Sequence, residues 1–253
     1  MLSGKSITRL AKIVSLSLLA LLLSTASVQA QRSSDLSGNL PNTQTMAVLE
    51  KAEVLFTLGD YERAFFIYRN ELVPLGDKYA QYMVGYMYQN GLGVEQNEAA
   101  AAAWYQLAAE RGTREFVALR DHVLQQLDPE LKDRSTDIYR ELRTEFCDAA
   151  VLLASIKKDH QKLQIRTGSR IGGGSSPVEI INRDGARMSN SAQYYDAIRQ
   201  NLEARLRMLK SLGGYEDIPD NAERLRMNDL EKAVREQIER ESPKPSKRPV
   251  SKS

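Results

Sequence analysis

This 253-residue chain has one cysteine, one tryptophan and two histidines. A lone Cys147, in "EFCDAAVLLASI", leaves no internal disulfide, and as a small apolar residue in a helical run it reads as core. His122 and His160 each follow an aspartate. Neighbours one apart on a helix point about 100° apart, so neither Asp-His pair makes a ready relay. With no H-E-x-x-H and no Cys/His cluster, zinc has no ligand set and no catalytic residue stands out. The chain also lacks an N-x-S/T sequon, which together with the missing disulfide leans towards a bacterial periplasm over a eukaryotic secretory lumen. Long hydrophobic runs are missing too. The charge-free apolar run near the start, Ile13 to Leu23, is well short of the roughly 20 residues that cross about 30 Å of hydrocarbon.

That short stretch has a different use. Lys5, Arg9 and Lys12 precede it, and Val28-Gln29-Ala30 supplies small residues before a cut ahead of Gln31. Residues 1–30 therefore read as a cleaved export signal, giving a periplasmic protein with no integral span after cleavage. No Cys follows the cut, which argues against a lipoprotein. Removing the three basic residues of the signal from 35 leaves 32 against 33 acidic ones, a net charge of −1. The tail 241–253, "ESPKPSKRPVSKS", is basic and reads as disordered. Without it, residues 31–240 hold 28 basic and 32 acidic residues. A body with that balance lacks the positive face that phosphate binding needs, so a nucleic-acid partner is not expected.

Residues 31–44 are polar, with Gly and Pro, and read as a flexible lead-in. Residues 45–163 follow a helical pattern punctuated at Gly59, Gly76, Gly91/Gly93, Gly112 and Pro129, which predicts antiparallel helix pairs. Residues 164–191 are rich in Gly and Ser, with one strand-like patch at Val178 to Ile181. Residues 192–240 hold a C-terminal helical pair. Asn190 with Gln193 would cap its first helix, whose apolar seam is Tyr195, Ile198, Leu202, Leu209 and Leu212. Leu230, Val234 and Ile238 form the seam of the second.

The breaks at Gly76 and Gly112 lie 36 residues apart, a period that signals a helical solenoid with two helices per unit. In "GYMYQNGLGVEQNEAAAAAWYQLAAERG" (85–112), Gly85 is a notch where the alanine-rich helix around Ala101 can approach closely. Trp104 and Tyr105 would fill the wedge beyond. Gly91 and Gly93 can take positive φ between the helices, with Val94 plugging the end of the pair.

Ala80, Val84, Gly85, Tyr88, Gly91, Gly93, Val94, Trp104, Tyr105, Ala108, Ala109 and Gly112 together resemble the signature of the Sel-one-like repeat, a branch of the tetratricopeptide superfamily. The stretch before it, "AEVLFTLGDYERAFFIYRNEL", is similar to the plainer tetratricopeptide form. The resemblance fades after Gly112, where a shift of 36 puts Asp121 on Gly85, so residues 114–146 read as a worn or capping hairpin. The expected fold is all-α: a short α-solenoid of antiparallel helix pairs, then a Gly-rich loop and C-terminal helices.

The resemblance implies a protein or peptide partner, held on the concave face lined by the first helix of each pair. On that helix Tyr79, Tyr82 and Tyr86 make one stripe. Leu49 and Phe56 stand at the matching positions of the preceding repeat, and the 36-residue shift places His122 on the same face. These six residues are the candidate binding site. The same stripe could instead pack on a neighbouring hairpin. "GSRIGGGSS" (168–176) lacks the Lys-Ser/Thr of a phosphate loop and reads as linker. The carboxylates of Glu95, Glu98 and Glu110 read as solvated faces, and no cofactor is expected. The expected function is that of an exported adaptor or scaffold. The alternatives are an envelope enzyme with an unrecognised site near the Gly-rich segment, and a membrane-tethered structural protein that keeps its signal.

Overall fold

The structure, a computed structural model, describes residues 43–168, 180–181, 187–188 and 191–245. The signal, most of the lead-in, nearly all of the Gly/Ser-rich segment and residues 246–253 lie outside the described residues. So does Asn190, the expected cap of the helix that follows it.

Nine α-helices are described: α1 Thr43–Thr57, α2 Tyr61–Ile67, α3 Lys78–Asn90, α4 Glu98–Ala108, α5 Arg114–Gln126, α6 Pro129–Phe146, α7 Asp148–Gly168, α8 Ser191–Ser211 and α9 Met227–Glu241. A two-residue antiparallel ladder, β1 Ile180–Ile181 with β2 Arg187–Met188, is the sole β pairing among the described residues. The fold is all-α, and the chain turns where the sequence places its turn formers. Asp60, Asp77 and Asn97 cap α2, α3 and α4 by accepting from the backbone N–H three residues on. Pro129 opens α6, where its missing N–H costs nothing. α2 runs on through a π turn, Tyr68–Leu72, and a 3-10 turn, Val73–Leu75, before Gly76 ends it.

Glycine is required at two points. Gly93 has φ +68°, and a Cβ there would lie 2.3 Å from the Tyr61 carbonyl carbon, so the α3–α4 loop rests directly on the backbone that starts α2. Gly85 is helical, yet a Cβ on it would meet the Tyr105 ring at 2.9 Å and the Ala101 carbonyl oxygen at 3.2 Å. The expected close crossing of α3 and α4 is therefore present. Tyr105 lies over the notch and donates its hydroxyl to Gln89 Oε1 at 2.7 Å.

The alanines have a second reason. Ala99 to Ala103, Trp104, Tyr105, Leu107 and Ala108 are all buried, because α4 takes α3 on one flank and α6 on another. A helix apolar on all sides is one that is enclosed. Trp104 consequently faces Phe146 of α6, ring centroids 5.9 Å apart, and only Tyr105 fills the α3–α4 wedge. α6 lies along α4 and not along α5, so residues 114–146 do not close into the expected hairpin.

α7 packs against both α8 and α9, and one core runs from Leu49 in α1 to Ile238 in α9. Ile198, Leu202, Leu206 and Leu209 form the buried seam of α8. Leu212, expected in that seam, lies one residue past the helix end and is 43% exposed. Leu230, Val234 and Ile238 are buried as expected.

Candidate partner-binding face

An aromatic row crosses the first two hairpins. Tyr61, Phe56, Tyr86, Tyr82, Tyr79 and Tyr68 follow one another with ring centroids 5.2 to 6.4 Å apart. The i, i+3, i+7 spacing on α3 brings its three tyrosines into line, and Phe56 at the end of α1 extends the line to the neighbouring hairpin. Such rings attract edge to face or offset, over the usual 4.5–7 Å.

Within the row the tyrosines differ in depth. Tyr82 is buried, stacked on Phe116 of α5 at 5.6 Å and set against Tyr105 at 5.9 Å. Burial, with Tyr79 and Tyr86 beside it, pushes its phenol well above the ordinary value. Tyr79, Tyr86 and Phe56 are half-buried. Burial and the nearby Tyr61 raise the Tyr86 phenol. Leu49 is buried in the core below. His122, exposed on α5, lies 3.1 Å from the Gln126 side chain. Three half-exposed rings on a buried aromatic floor offer large contact area with few torsions left to fix, the chemistry common in protein interfaces.

A buried ionic network, little marked by local sequence pattern, starts from Lys78 beside this face. Lys78, at the start of α3, reaches the Leu107 carbonyl at 3.0 Å, Glu110 at 3.2 Å and Asp148 at 3.0 Å. Arg111 holds Asp148 at 2.8 Å and the Gly76 carbonyl at 3.0 Å. Arg143 of α6 reaches Glu110 and, at the end of α9, Glu241, both at 3.1 Å. Glu110 is thus enclosed among cations and not on a solvated face, whereas Glu95 and Glu98 are exposed. Burial opposes charge at Asp148, but Lys78 and Arg111 outweigh it and hold its carboxyl below the usual range. Cys147, next in the chain, is buried, and burial with Glu110 pushes its thiol up to about 11. Among the described residues no group of His, Cys, Asp or Glu is placed to hold a metal ion, and no helix is long and apolar enough to cross a membrane.

Residues 78–113, which are α3, α4 and the turn that closes them, match the family model of the Sel1 repeat. The chain carries a Sel1 repeat. The resemblance read from Gly85, Tyr88, Gly93, Trp104 and Gly112 is the resemblance found. The match ends at Thr113, where the spacing of the signature residues also fades. No solved structure matches the chain. Sel1 repeats mediate protein–protein interaction, and the half-exposed tyrosines lie on the first helix of this one.

Proposed function

We propose that the protein is an adaptor or scaffold of the bacterial envelope, exported by a cleaved signal, which clasps a segment of a partner protein against α1 and α3. The observation that carries this reading is the aromatic row: Phe56, Tyr86 and Tyr79 half-exposed, in line, and seated on Tyr82 and Leu49. A row of flat amphipathic rings suits an extended or helical peptide with apolar anchors better than a small charged metabolite. Sel1 repeat proteins are in general adaptors without catalytic activity, which fits a face with rings and hydroxyls but no paired acid and base.

Placing a photo-crosslinking residue at Tyr86 in intact cells, and at exposed Lys232 on α9 as a control, tests it. A discrete adduct from position 86 and none from position 232 is expected. Adducts that are absent or identical at both sites would remove the support for the row as a docking face. Export is tested separately, by sequencing the protein from envelope material: Gln31 as the first residue is expected, and an intact Met1 would contradict cleavage.

A further inference from the structure

The aromatic row carries donors as well as ring faces. Among the described residues the hydroxyls of Tyr61, Tyr82 and Tyr86 make no hydrogen bond, and none of the three oxygens is sealed from solvent. Tyr105, deeper in the hairpin, gives its hydroxyl to Gln89 at 2.7 Å. Tyr82 is the informative case. Its ring is buried against Phe116 and Tyr105, yet its oxygen still meets water, so the donor is held rigidly at the floor of the face. Burial and neighbouring tyrosines raise the phenols of Tyr82 and Tyr86, with no charged side chain among the causes. Both hydroxyls therefore stay protonated, and the ground around them is neutral.

α1 and α3 bond their backbone groups within their own helices, so this face has no open edge for a partner strand to extend. It offers an uncharged line of flat rings and phenol donors. A helical segment would bring apolar side chains, but its carbonyls are already bonded inside the helix. An extended segment of ordinary residues brings carbonyls together with N–H groups that need acceptors of their own. A proline-rich segment brings free carbonyls, no N–H at each proline, and rings that lie on aromatic faces. We propose that the occupant of the row is an uncharged, proline-rich segment of the partner, bound as a polyproline II helix whose carbonyls accept from Tyr82 and Tyr86. Three steps of 6.0 to 6.4 Å carry the row from Phe56 to Tyr79, the length of about six polyproline residues, or two turns. This rests on the row being the docking face and adds the chemistry of what docks.

The purified protein is titrated by calorimetry with decaproline, with a stapled leucine-rich helix and a Gly-Ser peptide of equal length as comparisons. Saturable binding of decaproline alone is expected. Tyr86→Phe keeps the ring and removes the donor, and should weaken that binding roughly fivefold, the size of one neutral hydrogen bond. Tyr82→Phe should act alike, with the melting temperature of each variant confirming an intact fold. No saturable binding of decaproline, or tighter binding of the helix, would overturn the proposal. Undiminished affinity in both phenylalanine variants would overturn the hydroxyls as its donors. The photo-crosslink at position 86 separates the two readings. An adduct in cells without decaproline binding would sink the proline-rich occupant and leave the docking face standing, whereas decaproline binding without an adduct would count against the adaptor reading alone.

Discussion

Gly85 offers the sharpest test of how α3 and α4 meet, because two effects of opposite sign compete there. Replacing glycine by alanine inside a helix normally stabilises by about 1 kcal/mol. At this site the added methyl would sit 2.9 Å from two carbons of the Tyr105 ring and 3.2 Å from the Ala101 carbonyl oxygen. The ring cannot easily retreat, being buried, tied through its hydroxyl to Gln89 and set against Tyr82. Overpacking of this kind costs roughly 1–3 kcal/mol, so Gly85→Ala should come out destabilising by about 1 kcal/mol. In a chain of this size that lowers the melting temperature by about 2–4 °C. Removing the obstacle should reverse the sign. In a Tyr105→Ala background the same Gly85→Ala change should stabilise by roughly 0.5–1 kcal/mol through helix propensity alone. Thermal and urea unfolding of the four proteins, followed by helical circular dichroism, measure the cycle. Gly85→Ala raising the melting point of the parent, or acting identically in both backgrounds, would refute the account of the crossing.

Tyr82→Ala should cost about 3–5 kcal/mol as a large-to-small core change, whereas Tyr86→Ala should cost far less stability. If Tyr86 contributes to docking, its loss should weaken partner binding by roughly 1–3 kcal/mol with helical content intact, measured by calorimetry on the folded fraction. Asp148 has a carboxyl held below its unfolded value of 3.8, so its contribution is fully present above that value and lost as pH falls through the folded one. The melting temperature should therefore owe no loss to Asp148 between neutral pH and about 5, and Asp148→Asn should reduce stability at pH 7 while shallowing the decline in acid. Cys147, buried with its thiol pushed up to about 11, should resist alkylation at pH 8 until the protein unfolds. Labelling at the rate of a free thiol in the folded state would show that the α6–α7 junction opens.

Local chemistry made the hairpins legible in the sequence. Gly59, Gly76, Gly91 and Gly112 take positive φ between helices, Asp77 and Asn97 cap them, and Gly85 with Ala101 marks the crossing. Each of these signals acts within a few residues of its cause. Packing between distant helices leaves weaker marks. Nothing in the periodicity of α6 says that it chooses α4 over its neighbour α5, and only the excess of alanine around Trp104 hints that α4 has more than one partner. The tyrosine stripe shows the same limit. Spacing puts Tyr79, Tyr82 and Tyr86 on one face, but it is Phe116, 34 residues past Tyr82, that buries the middle ring and leaves the outer two partly open. Glu110 read as a surface charge because Lys78 and Arg143, which hold it, come from two other helices.

The buried charges also set an order of events during synthesis. Lys78 can find Glu110 as soon as α4 exists, but Asp148 arrives with α7, and Glu241, the last acid of the set, with the final helix. At the roughly 5–20 residues per second of translation, the interval between Lys78 and Glu241 lasts on the order of ten seconds. From the moment α6 is made until α9 docks, Arg143 must stay hydrated on its α9 side, and the flank of α6 that α9 covers remains open to water. The repeat can therefore close early around Lys78 and Glu110, while a ribosome-bound chain lacks the outermost contact of the brace, Arg143 with Glu241, until the last helix docks.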